Sequence, residues 1–149
     1  MKTKTLRVVV AGYGTFGEQL ARLLAAEPCF RIVAVADPSP QALEKAISLY
    51  QVSTFPTLAK ALEATDADLA VISTPPEHSH DLAAAALEGG LHVLVTKPMT
   101  DTTRLAASAR LRQRKLGFAA DAAGARDYLR ELEAVVLGKA RGPASPESR

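Results

Sequence analysis

The sequence predicts an α/β fold in which a doubly wound parallel sheet is covered by helices on both faces. Short apolar runs without polar alternation take turns with segments of helical periodicity along most of the chain. This is the order expected when each buried strand is followed by a crossover helix. A glycine-rich turn directly follows the first apolar run. At 149 residues the chain has the length of one domain.

Three strand–helix units are predicted in the first half of the chain. The first run is centred on three consecutive valines, as expected for a strand buried on both faces. Leucines at helical spacing follow it, and Pro28 ends that helix. We predict strands over residues 6–11, 32–36 and 52–55, and helices over residues 15–26, 41–49 and 57–64.

The second half continues the alternation and ends in an amphipathic helix. We predict strands over residues 68–73, 91–95 and 117–119, and helices over residues 77–88, 101–115 and 126–137. In the last helix Leu129, Leu132 and Val136 share one face, which should pack on the domain. Residues 1–125 are thus expected to form the main domain, 126–138 a helix packed on it and 139–149 a frayed polar tail. We expect this helix and tail to be a genuine ending, of a natural or an engineered single-domain form.

A GxGxxG motif lies between the first strand and the first helix, where a dinucleotide-binding turn of a Rossmann fold is found. Gly12 permits the tight turn, Gly14 lets the backbone approach a pyrophosphate, and Gly17 allows close packing of helix on strand. The helix N-terminus, with its free N–H groups, attracts the anion. The candidate cofactor contacts in this turn are Gly12, Tyr13, Gly14, Thr15, Phe16 and Gly17.

Asp37 ends the second predicted strand, 20 residues after Gly17. A carboxylate at this place can accept hydrogen bonds from the adenosine ribose and would repel a 2′-phosphate. No arginine follows in residues 38–41 to neutralise such a phosphate, so NAD is favoured over NADP. An alternative role for Asp37 is to cap the next helix, and the two roles are compatible.

Unusual loops also follow the fourth and fifth predicted strands. Ser73, Thr74, Pro75 and Pro76 follow the fourth strand, and Thr96-Lys97-Pro98 follows the fifth. Ligands of open α/β sheets bind at the carboxyl ends of the strands, near the point where the strand order reverses. These loops are therefore expected to line the same site as the glycine turn.

Three segments, GYGTFG, VADPSP and DLAVISTPPEHSHDLAAAALEGGLHVLVTKPMT, together resemble the N-terminal half of the Gfo/Idh/MocA family. The family is named for glucose-fructose oxidoreductase and inositol dehydrogenase, and the resemblance covers about residues 6–114. It implies a nicotinamide-binding Rossmann domain, normally followed by an α/β substrate domain that also forms much of the oligomer interface. It further implies oxidation or reduction of a sugar, cyclitol or related carbinol or carbonyl carbon.

The resemblance also implies roles for individual residues. Thr74, Pro75 and Pro76 would line the nicotinamide side of the cofactor. Lys97 would be the catalytic residue, reaching the nicotinamide ribose and the substrate oxygen, where an ammonium stabilises developing alkoxide charge. The bond before Pro98 would often be cis in such proteins. On spacing alone, Lys97 could equally be a solvated lysine at a strand end.

The chain departs from the family pattern in three places. Thr96 replaces the usual glutamate before the lysine, which puts catalytic competence in doubt. A histidine common in the family aligns with Ser79, and the chain has His78 and His80 on either side. Both are expected to be surface or capping residues rather than bases, with His80 retained as a candidate cofactor contact. The substrate domain, with its acid/base aspartate and histidine, has no counterpart.

The composition and charge of the chain limit the classes of partner and location that are expected. A net charge of +2 is too small to favour nucleic acid or an anionic membrane. The lone cysteine, Cys29, cannot form an internal disulfide, and the apolar run that stops at Gly12 is too short for a signal peptide or a membrane span. We therefore expect a cytoplasmic protein without a metal site, and an uncovered apolar face favours a homodimer or a partner subunit.

Three functions remain open from the sequence. The first is an NAD(P)-dependent oxidoreductase whose substrate pocket is completed by self-association, a partner or further sequence. The second is a non-catalytic NAD(H) sensor or accessory subunit. The third is a degenerate domain that binds another protein through the face formed by Leu129, Leu132 and Val136. The intact glycines and Asp37 argue against the third.

Overall fold

The structure of the protein, a computed structural model, describes residues 5–96 and 101–138. Strands and helices alternate through the described residues. The strands are β1 (Leu6–Ala11), β2 (Phe30–Ala36), β3 (Ser53–Phe55), β4 (Leu69–Ile72), β5 (His92–Val95) and β6 (Leu116–Phe118). The helices are α1 (Thr15–Ala25), α2 (Pro40–Tyr50), α3 (Leu58–Ala64), α4 (Pro76–Glu88), α5 (Thr103–Arg112) and α6 (Ala122–Leu137).

The strands form one sheet in the order β3-β2-β1-β4-β5-β6, and every strand pair is parallel. The chain therefore winds outward from β1 in one direction as far as β3, then crosses to β4 and winds in the other direction. This confirms the doubly wound Rossmann fold. The crossover leaves a crevice between the loops after β1 and β4, because the helices that follow these strands cover opposite faces of the sheet.

Two apolar layers explain why the strands show no polar alternation. Val8 and Val10 contribute to the layer beneath α1, α2 and α6, whereas Val9 and Ala11 contribute to the layer beneath α3, α4 and α5. Successive side chains of a strand point to opposite faces, so a strand covered on both faces must be apolar at every position. These four side chains are at most 2% exposed.

The last helix begins earlier than the sequence analysis predicted. We expected it to start at residue 126, but it starts at Ala122, with the Asp121 side chain accepting a hydrogen bond of 2.8 Å from the N–H of Gly124. The leucine periodicity missed the small residues of the first turn, and the capping aspartate was the available signal. Leu129 and Leu132 are buried in the layer that contains α1. A function that needs this face for another protein is thus disfavoured.

Other boundaries differ by a few residues. Helix α5 is shorter than predicted because Gln113 adopts a left-handed conformation with φ of 56° that ends it.

The predicted tail over residues 139–149 lies outside the described residues. Of the helices in the described part of the chain, none combines the length and apolar composition needed to cross a bilayer.

Candidate functional site

The glycine turn joins β1 to α1 at the crevice between β1 and β4. Gly12 has a φ of +93°, which side-chain-bearing residues rarely adopt. Gly14 is the residue that precedes the first turn of α1, and no side chain in the described part of the chain caps the N-terminus of that helix. The N–H groups of this first turn are therefore available to an anion.

The motif needs glycine at its three positions for two different physical reasons. A Cβ atom on Gly12 would overlap the carbonyl oxygen of Ser73, and one on Gly17 would overlap the carbonyl oxygen of Gly12. These two glycines permit close packing within the protein. A Cβ atom on Gly14 would have no atom of the described residues within 4 Å. The described part of the chain thus leaves the space above Gly14 open, as a bound pyrophosphate requires.

Asp37 connects the glycine turn to the end of β2. One carboxylate oxygen accepts a hydrogen bond of 2.7 Å from the N–H of Tyr13, and the other accepts one of 2.8 Å from the N–H of Ser39. A carboxylate oxygen can accept a second hydrogen bond, so both oxygens retain capacity for ribose hydroxyls. The cap of α2 is Ser39, whose hydroxyl accepts from the N–H of Ala42 at 3.3 Å. The capping role considered for Asp37 is therefore wrong.

Two cavities flank the glycine turn. The first, of about 570 Å³, lies beside the N-terminus of α1, and the second, of about 440 Å³, lies between the ends of β1 and β2 and the start of α4. The first is lined by Gly14, Thr15, Phe16, Gln19, Ser73, Thr74, Pro75 and Pro76. The second is lined by Ala11, Gly12, Ala36, Asp37, Pro38, Pro56, Thr57, Leu58, Thr74, Pro75, His78, Asp81 and Leu82.

The two cavities divide the predicted site residues between them. Thr74 and Pro75 line both cavities and form the wall between them. Asp37 faces the second cavity, whereas Thr15 and Phe16 face the first. An elongated ligand that passes over the glycine turn would therefore contact both halves of the predicted site. The loop after β3 was missed from sequence, although Pro56 and Thr57 gave a signal as the residues at a strand end.

The two histidines on either side of Ser79 differ in their relation to the cavities. His78 lines the second cavity, on the same side as Asp37. His80, the retained candidate, lines neither cavity, and its Nδ1 atom lies 3.9 Å from a carboxylate oxygen of Asp81. Ser79 between them is buried and hydrogen-bonded to Thr74. The prediction that His80 contacts the cofactor thus gains no support from this placement.

Tyr13 contributes to the site through its backbone. Its side chain is only 2% exposed and packs in the layer of α1 and α2, away from the two cavities. Burial, together with the neighbouring Tyr50, raises the pKa of Tyr13 to about 12. Tyr13 is a candidate cofactor contact from its place in the motif, but the fold turns its side chain away from both cavities.

The burial of Tyr13 has a measurable consequence at alkaline pH. An unfolded tyrosine ionises near pH 10.0, whereas folded Tyr13 holds its proton until about pH 12. Between these values the unfolded state binds fewer protons, so the free energy of unfolding should fall as pH rises. We expect Tyr13→Phe to lose less stability across this range than the wild type, measured by urea unfolding from neutral pH upward. Parallel curves for the two proteins would contradict this assignment.

Thr96 is the last residue of the first described stretch of the chain and lies beside β4. Its N–H donates a hydrogen bond of 3.0 Å to the carbonyl oxygen of Ile72, and its side chain is buried. The chain thus leaves β5 at the same edge of the sheet as the loop after β4. Lys97 and Pro98, with the cis bond expected between them, lie outside the described residues.

Comparison with known proteins places this geometry in context. Residues 6–118 match the model of an oxidoreductase family with an NAD-binding Rossmann fold, GFO_IDH_MocA. An inositol 2-dehydrogenase of Saccharopolyspora erythraea is 36% identical over 108 residues, which are 70% of this chain and 31% of that protein. The crystal structure of GenD2 from gentamicin A biosynthesis, in complex with NAD, has a TM-score of 0.74 and 28% identity, over 78% of this chain and 34% of that one.

A relative of another kind is also found. The redox-sensing transcriptional repressor Rex of Caldicellulosiruptor saccharolyticus is 27% identical over 89 residues, which are 59% of this chain and 41% of that protein. The curated relatives are all longer than the matched region, and the chain spans between 29% and 41% of their length. The likeness therefore concerns one part of each of these proteins.

Proposed function

Because the chain belongs to the Gfo/Idh/MocA oxidoreductase family with its NAD-binding Rossmann fold, we propose that it binds NAD(H) across the two cavities. The observation that carries this proposal is the open space above Gly14, next to the free N–H groups of α1. The pyrophosphate would lie there, with the adenosine ribose at Asp37 and the nicotinamide beside the first cavity. A diphosphate needs hydrogen-bond donors and a close approach of the backbone. The N–H groups at the start of α1 would supply the donors, and the glycine would allow the close approach.

We propose NAD(H) rather than NADP(H) as the physiological cofactor. The carboxylate of Asp37 lines the second cavity, and Asp81 adds another carboxylate to it. A 2′-phosphate on the adenosine ribose would be brought close to these negative charges. Among the described residues, neither arginine nor lysine lines this cavity to offset them. The charge distribution thus supports selection against the phosphorylated cofactor.

We propose that the reaction is hydride transfer to or from a sugar, cyclitol or related carbonyl or carbinol carbon. The likeness to inositol dehydrogenases supports this substrate class. The cofactor would supply or accept the hydride, and Lys97 would stabilise charge on the substrate oxygen. Hydride transfer requires the reactants to be held in register and shielded from water. The first cavity is open, so a second copy, a partner subunit or further sequence would complete the pocket.

A non-catalytic NAD(H) sensor is the second candidate function. The similarity to the redox-sensing repressor Rex and the threonine in place of an acidic neighbour before Lys97 favour it. A sensor needs the glycine turn and Asp37 but does not need Lys97. The two candidates therefore differ in what Lys97 does rather than in where the cofactor binds. For both candidate functions we also propose a cytoplasmic location and assembly as a homodimer.

The deciding experiment is a calorimetric titration with NADH and NADPH, followed by a turnover assay with polyols and sugars. We expect NADH to bind more tightly than NADPH. For the oxidoreductase, Lys97→Met should reduce turnover by about a hundredfold or more, the size of effect usual for a lost electrostatic contact in the transition state, while NADH still binds. Binding without turnover in every oligomeric fraction would favour the sensor. Failure of both nucleotides to bind at millimolar concentration would refute the proposal.

A further inference from the structure

Ser79 has a buried hydroxyl that the proposed cofactor contacts do not use. It is one of two polar residues that are fully buried among the described residues, with 1% exposure. Its side chain lies in the first turns of α4, beneath the loop after β4. It lines neither of the two cavities. Any influence on a ligand must therefore pass through another residue.

The hydrogen-bond directions around Ser79 follow from its partners. Its Oγ atom lies 3.1 Å from Oγ1 of Thr74 and 3.2 Å from the carbonyl oxygens of Thr74 and Pro75. A hydroxyl has one hydrogen, and a carbonyl oxygen can only accept. Ser79 therefore shares its one hydrogen between the two carbonyls, which leaves its oxygen to accept from the Thr74 hydroxyl. The bond to Pro75 is the usual helical back-bond, whereas the bonds to Thr74 reach outside the helix.

This arrangement orients the side chain of Thr74. With its hydroxyl turned toward Ser79, the methyl group of Thr74 faces the glycine turn, where a Cβ atom on Gly12 would be 3.1 Å from it. Thr74 and Pro75 are also the residues common to both cavities. The orientation of Thr74 thus sets the shape of the wall over which a dinucleotide would pass.

We propose that Ser79 is a positioning residue for the cofactor cleft. Through the hydroxyl of Thr74 and the carbonyl of Pro75 it holds the wall between the two cavities against the glycine turn before the ligand arrives. A ligand that spans both cavities then meets a preformed surface and does not lose affinity in ordering it. The inference rests on the proposed binding of NAD(H), and it adds a residue that touches no part of the cofactor.

A double-mutant cycle tests the route through Thr74. We expect Ser79→Ala to weaken NADH binding by about threefold to tenfold, the range for losing a partly buried hydrogen bond. Thr74→Val, which keeps the shape and removes the hydroxyl, should weaken binding as well. The double variant should lose less affinity than the sum of the two single losses, because each single variant already removes the bond between the two hydroxyls. Losses that add in the double variant would overturn the proposal.

A matched control is Ser48→Ala, at an exposed helical position in α2. It should leave NADH binding unchanged, which separates the effect of position 79 from that of any helical serine-to-alanine change. Thermal melts of all variants serve as the check that each variant is folded. If the wild type binds NADH and Ser79→Ala binds it equally well, Ser79 has no positioning role.

A second measurement needs no cofactor. Backbone amide hydrogen exchange in peptides covering residues 73–80 should accelerate in free Ser79→Ala, and peptides from β2 and α6 should exchange as in the wild type. Unchanged exchange in residues 73–80 would overturn the proposal even if NADH proves not to be the ligand. If the wild type binds no NADH but residues 73–80 exchange faster in Ser79→Ala than in the wild type, the proposed function alone is refuted.

Discussion

Gly14→Ala should weaken NADH binding by about a hundredfold, or about 2.7 kcal/mol, without destabilising the protein. The added methyl group would meet no atom of residues 5–96 and 101–138 within 4 Å, and the backbone of Gly14 has an ordinary negative φ of −83°. It would instead occupy the space that a pyrophosphate needs. Calorimetry with NADH and a thermal melt of the same sample give both readouts.

Gly12→Ala and Gly89→Ala are the matched comparisons. Gly12→Ala should unfold the protein or lower its melting temperature strongly, because the residue has a positive φ and the methyl group would overlap the carbonyl of Ser73. Gly89→Ala should change neither NADH binding nor the melting temperature, since its Cβ atom would make only ordinary contacts of 3.4 Å or more. Undiminished NADH binding by a folded Gly14→Ala protein would place the ligand elsewhere.

Asp37→Asn should reduce the preference for NADH over NADPH by about tenfold or more, consistent with removing a charge close to the 2′-phosphate. The amide retains one acceptor oxygen and presents a nitrogen that cannot accept, so either Tyr13 or Ser39 loses its hydrogen bond. NADH binding should therefore weaken by about tenfold as well. The dissociation constants of both cofactors, measured for both proteins at the same ionic strength, test this.

Asp81→Asn is the control for a general charge effect. Asp81 lines the same cavity as Asp37, but its side chain is 95% exposed and forms no described hydrogen bond with the glycine turn. Its replacement should change the cofactor preference by less than about threefold, as expected for a solvent-screened charge. An equal effect from the two variants would mean that the net charge of the cavity, and not the position of Asp37, selects the cofactor.

Much of the fold could be predicted from local pattern. The valines of β1 belong to the two apolar layers in alternation, and this burial on both faces is what an uninterrupted apolar run indicates. The glycine motif and Asp37 were identified because their spacing reflects a fixed strand–turn–helix–strand geometry. Helix ends were less accurate, as at Ala122, because capping and small residues carry a weaker signal than leucine periodicity.

Individual side chains at the site were harder to predict. Tyr13 lies within the motif, yet its ring turns into the core and only its N–H reaches Asp37. His78 and His80 are equivalent as residue types, and only the rotation of α4 decides that His78 lines the cavity. Ser79 has no polar signature that distinguishes it from a surface serine. Its role depends on a bond to the preceding loop.

The sequence by itself determined the α/β class, the doubly wound sheet, the family and the glycine turn, since each has a signature in contiguous residues. Only the tertiary structure decided that Asp37 holds the turn through Tyr13, that Thr74 and Pro75 separate two cavities, and that Ser79 lies behind them. These are contacts between segments far apart in the chain or between neighbouring side chains whose directions depend on packing. Local pattern specifies which elements form, and the way they pack specifies which atoms meet.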